Sequence, residues 1–383
     1  MKLYAAPLQG FTEAPWRNFH EEVFGGIDAY YTPFVRIERG GFRNRDVRDI
    51  APENNTVSHV VPQLIASTPV ELERLAALFT EKGYKEADFN MGCPFPLVAR
   101  KHKGSGILPY PAEVEALLKE LTHYPELSFS VKMRLGWESA DEWRPLLPLL
   151  NAAPLRRIVL HPRIGKQQYK GEVDLAAFTA FYEECAHPLV YNGDLLTVED
   201  IRKVEEKFPC LEGVMLGRGL LANPALAWEY VNGISFSPDK LHEKVKALHA
   251  RLLQYYEAHL QGEAQLLSKM KPYWEYLLPD ADRKIKKAIK KATTMDKYLT
   301  AVNQLHTGSG QCILPRTFII VDSYLLLAVR LSIQIQIIID CGYESLQAFG
   351  YCIRMAQSFF ILILCKESER TDGTVDFRSH DTL

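Results

Sequence analysis

The sequence lacks several patterns that would place it in a specialised class. Its N-terminus, MKLYAAPLQG, has no long apolar segment of the secretory kind, so we expect a cytoplasmic protein. Its seven cysteines form no CxxC pair and no short Cys/His spacing, which argues against a zinc site and favours reduced thiols. No apolar run approaches the ~20 residues that span a bilayer, because charges interrupt the most apolar stretch, residues 312–365. We therefore expect neither a metal site nor a membrane segment.

The chain also lacks a strong net charge, since 45 basic residues stand against 47 acidic ones in 383 positions. Binding to nucleic acid would therefore need a local cluster of cations. Residues 240–305 hold such a cluster, with 13 basic and 7 acidic residues in a region that reads as helical throughout. Its densest part, residues 283–292, has an apolar side and a lysine side when drawn as a helix. The lysine side, Lys284, Lys287 and Lys291, fits either a solvated surface or contacts with phosphates.

Upstream of this cluster, short apolar runs alternate with amphipathic stretches about every thirty residues, which is typical of repeated βα units. The predicted strands are Leu3–Ala6, Ala29–Thr32, Val60–Leu64, Ala87–Phe89, Phe129–Met133, Ile158–Leu160, Leu189–Tyr191 and Val214–Leu216. The predicted helices are Glu13–Val23, Val70–Lys82, Ala112–Leu121, Trp143–Leu150, Leu175–Glu184, Val198–Phe208 and Pro224–Val231. Residues 34–55 predict no helix. Eight strands in this order favour an α/β fold of the closed (β/α)8 TIM-barrel type over an open doubly wound sheet.

The sequence thus predicts three regions: a barrel over residues 1–236, a small all-helical domain over 237–305, and a tail over 306–383. The tail begins beside the linker-like Gly308-Ser309-Gly310 and contains no recognisable chemistry. We interpret it as foreign to the rest of the chain.

Polar residues follow the predicted strands, at the end of a TIM barrel where active sites form. They include Gln9, Arg36, Gln63, Asn90, Lys132, Arg134, His161 and Arg163. Two glycine-bearing turns, Asn192-Gly193-Asp194 and Gly217-Arg218-Gly219, follow the last two strands, where such barrels commonly bind phosphate. They predict a phosphate-bearing, anionic cofactor.

Lys132 interrupts a run that should face the barrel interior, and a buried lysine is costly unless it meets an anion. That anion could be a cofactor, a substrate or the partner of a structural ion pair. A lone histidine such as His161 fits either a ligand contact or a cap on the barrel.

The stretch NMGCPFP places Cys93 between Gly92 and Pro94 in a loop that follows a strand. Glycine allows close backbone approach and proline stiffens the loop. Most such thiols are small buried hydrophobes, but the strand-end position favours a functional group. Because a thiol is mostly protonated at neutral pH, it can act as a general acid without a metal.

Taken together, the motifs resemble those of the tRNA-dihydrouridine synthases over roughly residues 1–304. The matching stretches are APLQGFT at 6–12, DFNMGCP at 88–94, VKMRLG at 131–136, HPR at 161–163, YNGD at 191–194 and MLGRG at 215–219. The departures are Leu8-Gln9, where methionine with a small or acidic residue is usual, and Pro162, where glycine is common. They bear on substrate preference more than on the cofactor site.

The resemblance implies an FMN-dependent reductase that uses NADPH to convert uridines of tRNA to 5,6-dihydrouridine. Pro7 and Leu8 would contact the flavin through their backbone, Gln63 and Lys132 would bind its ring edge, and His161 would help to bind its phosphate. Asn192, Gly193, Asp194, Gly217 and Arg218 would complete the phosphate and ribityl site. Asn90 would hold the uracil and Cys93 would donate a proton. Arg36, Arg134 and Arg163 are candidates for contacts with the flipped nucleotide, and Lys284, Lys287 and Lys291 for contacts with tRNA phosphates.

Two other functions fit the same residues. One is an FMN-dependent barrel that reduces a free small molecule, against which the basic helical region argues. The other is a noncatalytic RNA-binding barrel. We expect a monomer, and the position of the modified uridine would depend on how the helical region orients the tRNA.

Overall fold

The computed structural model describes residues 1–306. Its strands are β1 Lys2–Ala5, β2 Ala29–Tyr31, β3 Ile37–Glu38, β4 Gly41–Phe42, β5 Val60–Val61, β6 Gln63–Leu64, β7 Glu86–Met91, β8 Ser128–Gly136, β9 Leu155–Ile164, β10 Leu189–Tyr191 and β11 Gly213–Leu216. All of them except the β3–β4 hairpin join one parallel sheet in the order β5-β2-β1-β11-β10-β9-β8-β7-β6. The predicted tail, from His306 onward, lies outside the described residues apart from its first residue.

The sheet closes into a barrel at Pro62. This residue separates β5 from β6, and proline has no backbone N–H to continue a ladder of hydrogen bonds. The first half of the interrupted strand pairs with β2 and the second half pairs with β7. Counting the two halves as one strand gives an eight-stranded TIM barrel, which confirms the predicted fold.

The helices lie mostly outside the barrel and follow the predicted order. They are α1 Ala14–Val23, α2 Asn44–Asp49, α3 Pro69–Glu81, α4 Pro96–Ala99, α5 Pro111–Leu121, α6 Leu147–Ala152, α7 Leu175–Glu184, α8 Val198–Lys207, α9 Arg218–Ala222, α10 Leu226–Asn232, α11 Pro238–His259, α12 Gly262–Met270, α13 Arg283–Lys291 and α14 Met295–His306. Thr68 caps α3 by accepting a hydrogen bond from the Glu71 N–H, and Thr197 forms a capping box with Asp200 on α8.

Three differences from the sequence predictions bear on the site. Strands β7, β8 and β9 run further than predicted, so that Asn90, Arg134 and His161 lie within strands rather than after them. Residues 34–55, for which no helix was predicted, contain the β3–β4 hairpin and the short helix α2. The helix predicted from Trp143 begins only at Leu147.

The apolar side chains form two layers, because alternate residues of each strand face opposite sides of the sheet. A small cluster fills the barrel and includes Tyr4, Tyr31, Val159 and Met215. A larger cluster lies between the sheet and the surrounding helices. The filled barrel interior leaves the strand ends as the place for a binding site.

Helices α11–α14 pack on the same end of the barrel as the loop after β1. Lys269 of α12 donates to the carbonyl of Gly10 at 3.0 Å, and the Tyr273 hydroxyl donates to that of Phe11 at 2.8 Å. On α13 the predicted sidedness is confirmed, since Ile289 is buried whereas the three predicted lysines are exposed. In residues 1–306, no helix combines the length and the apolar character that crossing a membrane requires.

Candidate active site

A pocket opens at the carboxyl ends of the barrel strands, and its wall contains most of the predicted site residues. Those on the wall are Pro7, Leu8, Asn90, Cys93, Lys132, Arg134, His161, Asn192, Gly193, Asp194, Gly217 and Arg218. Gln63, Arg36 and Arg163 are not part of this wall, and the lysines of α13 lie on a separate helix. The structure therefore brings the residues predicted at the ends of six different strands into one pocket.

The loop that carries Cys93 is held from two sides. The side-chain oxygen of Asn90 accepts hydrogen bonds from the N–H groups of Gly92, at 3.1 Å, and Cys93, at 2.9 Å. On the other side, the Cys93 carbonyl accepts from the backbone N–H of Ser105 at 3.1 Å and from its hydroxyl at 2.9 Å. These four bonds fix the backbone of Cys93 at the pocket.

Gly104 makes this close approach possible. Its φ of +61° lies in the left-handed region, and a Cβ there would lie 2.8 Å from the Cys93 Cβ. A larger residue would push the cysteine loop out of place. Gly104 and Ser105 were not predicted as site residues, because their contact with Cys93 joins two parts of one long loop.

The environment of the Cys93 thiol favours its protonated form. Burial raises its pKa above the usual value, and the weaker opposing effects of Arg134, Arg36 and Lys132 do not cancel this. The group is therefore protonated at neutral pH. It is suited to general-acid chemistry rather than to nucleophilic attack.

A chain of buried polar side chains supports this loop from below. Asn90 donates to the Gln63 side-chain oxygen at 2.7 Å, Gln63 donates to Asp88 at 2.7 Å, and the Ser130 hydroxyl donates to Asp88 at 2.6 Å. Burial raises the pKa of Asp88 to about 6, although its hydrogen bonds oppose this. Both polar atoms of the Gln63 amide are thus engaged, so a flavin contact at Gln63 would have to replace or share one of these bonds.

Lys132 lies on the pocket floor and donates to the side-chain oxygen of Asn192 at 2.7 Å. Asn192 is itself oriented by a 2.7 Å hydrogen bond from its amide nitrogen to the Met215 carbonyl. Burial, with a contribution from Arg134, lowers the pKa of Lys132 to about 8. The ammonium group meets a neutral amide instead of a carboxylate, so an anion in the pocket would stabilise its charge.

The predicted substrate arginines bind protein groups in this structure. Arg134 is 1% exposed and donates to the carbonyls of Gly92 and Ile164, both at 3.0 Å. Arg163 is 2% exposed and pairs with Asp194. Arg36 pairs with Glu38 at 2.6 Å on the β3–β4 hairpin. Arg134 still lines the pocket, whereas Arg36 and Arg163 are not part of its wall.

The rim of the pocket around Asp194 is cationic. The carboxylate of Asp194 accepts hydrogen bonds from Arg163 at 2.9 Å and from Arg218 at 2.7 Å. The backbone of Asp194 has a φ of +45°, in the left-handed region. Burial and the nearby Arg134 and Lys132 lower the pKa of His161 well below its usual value, so its ring is neutral at pH 7. Because two arginines share the single carboxylate of Asp194 and His161 is neutral, this part of the site has an excess of positive charge.

Tyr169 is the main wall residue that the sequence reasoning missed. The guanidinium carbons of Arg134 and Arg218 lie 5.4 and 4.8 Å from the centre of its ring, and the side chain is 47% exposed. Its loop, which follows the His161-Pro162-Arg163 motif, contains Gly165 and Gly171. The sequence could have indicated Tyr169 as a site residue, because it is an aromatic residue in a glycine-containing loop that follows a barrel strand.

The donors of this pocket fit an anionic cofactor. Gly217, Arg218 and Gly219 line it at the start of α9, and a Cβ on Gly219 would lie 1.9 Å from the Leu195 carbonyl. The loops after β10 and β11 thus meet only because Gly219 has no side chain. Among residues 1–306, no three His, Cys, Asp or Glu side chains come together as metal ligands do.

Comparison with known proteins identifies relatives over nearly all of the described chain. A family model for dihydrouridine synthase matches residues 4–309. The tRNA-dihydrouridine(16) synthase of Pseudomonas putida is 28% identical over 283 residues, which cover 71% of this chain and 85% of that protein. The tRNA-dihydrouridine synthase B of Salmonella typhimurium is 26% identical over 314 residues, covering 78% and 95%.

Proposed function

The chain belongs to the dihydrouridine synthase family, a family of oxidoreductases, and from this premise we propose that it reduces the C5–C6 bond of a uridine in tRNA, with FMN as cofactor and NADPH as reductant. The observation that carries the proposal is the position of Cys93 on the wall of a pocket that Lys132, Arg134 and Arg218 also line.

The residues on the pocket wall would hold FMN by charge and by backbone contacts. Lys132 and Asn192 would bind the edge of its ring, and the loops that contain Gly193, Gly217 and Arg218 would surround its phosphate. Pro7 and Leu8, after β1, would contact the ring through their backbone. When bound and reduced, FMN supplies a hydride.

Cys93 would complete the reduction with a proton. Saturation of the C5–C6 bond needs a hydride at C6 and a proton at C5, and the S–H bond of Cys93 breaks as the new C–H bond forms. The sulfur keeps the electron pair as a thiolate, which the nearby Arg134, Arg36 and Lys132 stabilise. A proton from solvent then restores the thiol.

Asn90 would hold the uracil while it supports the cysteine loop. Its oxygen accepts from two loop N–H groups and one amide hydrogen goes to Gln63. An asparagine amide has a second hydrogen. This hydrogen would donate to a carbonyl of the uracil, which links the position of the base to that of the thiol.

We propose that residues 237–305 form the tRNA-binding domain. A target uridine must leave its stack to enter the pocket, at a cost of a few kcal/mol, and contacts with the RNA backbone offset it. The exposed lysines of α13 would provide part of these contacts. The proposal includes the cytoplasmic location and the monomeric state expected from the sequence.

The proposal is tested with purified, FMN-loaded protein. NADPH oxidation and dihydrouridine formation are measured with unmodified tRNA, and in parallel with free uracil and orotate. We expect activity with tRNA that exceeds activity with the free bases by orders of magnitude. Equal activity with a free base would favour the small-molecule reductase, and failure to bind FMN would favour the noncatalytic barrel.

A further inference from the structure

Asp88 lies inside the barrel, at the opposite end of the buried polar chain from Cys93. It belongs to β7, two positions before Asn90, and its side chain is fully buried. One carboxylate oxygen accepts a hydrogen bond from the Gln63 amide at 2.7 Å, and the other accepts from the Ser130 hydroxyl at 2.6 Å. Asp88 is not part of the pocket wall, so any influence on the chemistry must pass through its neighbours.

The two ends of this chain differ in the kind of atom that each offers. At the pocket end, the backbone N–H groups of Gly92 and Cys93 can only donate. At the buried end, an ionised carboxylate can only accept. Burial raises the pKa of Asp88 to about 6, which leaves the group mostly ionised at neutral pH. The chain therefore runs from donors at the cysteine loop to an acceptor in the barrel.

The two amides between these ends satisfy all of their partners in only one arrangement. Asn90 turns its oxygen to the loop and donates from its nitrogen to the Gln63 oxygen at 2.7 Å, and Gln63 turns its nitrogen to Asp88. Rotating either amide by 180° would place two oxygens or two nitrogens against each other at hydrogen-bond distance. Such a contact is costly here, because both side chains are buried.

We propose that Asp88 is a positioning residue for the reduction, because its carboxylate orients the Gln63 and Asn90 amides and thereby holds the loop of Cys93 at the pocket. The inference rests on the proposed function and adds to it a residue that lies outside the pocket wall. If Asp88 only joined β7 to β8 through Ser130, the direction of the bonds in the chain would not matter.

The first test removes the carboxylate in the presence and in the absence of the thiol. In Asp88→Leu the Gln63 nitrogen has no acceptor, and we expect the rate at which saturating tRNA reoxidises the reduced flavin to fall roughly tenfold or more, since a displaced acid is poorly placed for proton transfer. In Cys93→Ala the same change should lower the rate much less, because the loop then carries no acid. Rates are compared per bound FMN.

Two matched variants accompany this test. Asp88→Asn should keep most of the rate, because its oxygen can still accept from Gln63 while its nitrogen donates to the Ser130 hydroxyl oxygen. Ser130→Ala removes the other hydrogen bond of the same carboxylate and leaves the chain intact, so it should lower stability but not the rate. Without RNA, alkylation of Cys93, followed by mass spectrometry, should become faster in Asp88→Leu and not in Ser130→Ala.

The second test reverses the direction of the chain and needs no activity. In Asn90→Asp the Gln63 amide lies between two carboxylates, and its nitrogen can face only one of them. We expect the denaturant midpoint of unfolding to fall. Adding Asp88→Asn should restore most of the loss, because the new amide then donates to the Gln63 oxygen and Gln63 donates to the new carboxylate. Both changes keep the size of the side chain, so this test holds even if Asp88→Leu does not fold.

The outcomes separate the inference from the function. The inference alone is overturned by equal losses of rate from Asp88→Leu with and without Cys93, by an equal loss in Ser130→Ala, or by a double variant no more stable than Asn90→Asp. A natural protein that reduces no tRNA overturns the proposed function and the catalytic role of Asp88 with it, even where the unfolding test finds the expected direction of the chain.

Discussion

Arg157 at one end of the barrel and Lys132 with Arg134 at the other end have different kinds of partners. At the amino-terminal end, Arg157 is 2% exposed and forms a two-pronged pair with Glu212 at 2.8 and 2.9 Å. Burial alone would lower the pKa of this guanidinium, but the nearby Tyr31 and the hydrogen bonds with Glu212 raise it above its usual value. The positive charge of Arg157 is thus compensated by protein groups.

At the carboxyl end the compensation is incomplete. Lys132 meets the neutral amide of Asn192, and Arg134 meets two backbone carbonyls. Burial lowers the pKa of Lys132 to about 8 and that of Arg134 to about 10. The difference teaches that a buried cation indicates function when its partners are neutral, because an anion must then come from outside the protein.

The largest expected effect comes from replacing Cys93, which lies beside the cations of the carboxyl end. We expect Cys93→Ala to lower turnover on tRNA by about 10²- to 10⁴-fold, because it removes the general acid while leaving the cationic floor in place. Binding of FMN and of tRNA should be retained, and single-turnover reoxidation of the reduced flavin by tRNA measures the loss. Cys210→Ala, a change at an exposed thiol, is the matched control and should keep full activity. Full activity in Cys93→Ala would refute the acid role.

Replacing one cation at each end should separate stability from binding. Arg157→Met leaves the carboxylate of Glu212 without its main partner, and we expect the free energy of unfolding to fall by about 3–5 kcal/mol. Lys132→Met removes a charge whose partner is neutral, so stability should be kept or should rise while FMN affinity falls by about tenfold or more. Denaturant unfolding and flavin titration measure the two effects. If both variants lost stability and FMN affinity to the same extent, the proposed difference between the two ends of the barrel would be wrong.

A third set of cations lies on the surface of α13, where solvent surrounds them. Neutralising Lys284, Lys287 and Lys291 together should weaken tRNA binding by about tenfold at moderate salt and lower the salt slope by up to about 2–3 units. FMN content should not change. Affinity measured over a series of salt concentrations gives both quantities.

The control for this variant neutralises three exposed lysines that precede α11 in the chain, Lys85, Lys119 and Lys203. If both sets weaken binding alike, the lysines of α13 act only through the general charge of the protein.

The smallest effect is a proton taken up when FMN binds. In the free protein, Lys132 has a pKa of about 8, and an anion beside it would raise this value. Between about pH 8 and 9 the lysine is partly neutral before binding and charged afterwards, so binding takes up a fraction of a proton and weakens as the pH rises. Calorimetry in buffers of different ionisation enthalpy measures this uptake. Lys132→Met should lose it.

The sequence predicted the barrel and most of the pocket for one physical reason. Parallel strands in a closed barrel bring their carboxyl ends together, so residues as distant as Leu8, Cys93 and Arg218 had to meet once the strands were assigned. Long-range contacts were beyond this reasoning. Gly104 was missed because its role appears only when the chain folds back on Cys93.

The sequence also could not predict where long side chains at the strand ends would point. Arg134 and Arg163 follow the strands in sequence, but β8 and β9 run on past the expected ends and bury both guanidinium groups. Gln63 was placed correctly at a strand end, yet its amide faces Asp88 and Asn90 inside the barrel. Which of several nearby acceptors a flexible side chain chooses depends on the whole packed structure.

The break at Pro62 gives the barrel a seam. Each half of the interrupted strand has only two residues, so the ring is held there by fewer ladder bonds than along β7, β8 and β9. Local opening should begin along this line, with the amide hydrogens of Val61 and Leu64 exchanging before those of β8 and β9. Gln63 lies at the same seam. Local opening there would first break its hydrogen bond with Asn90, which supports the loop of Cys93.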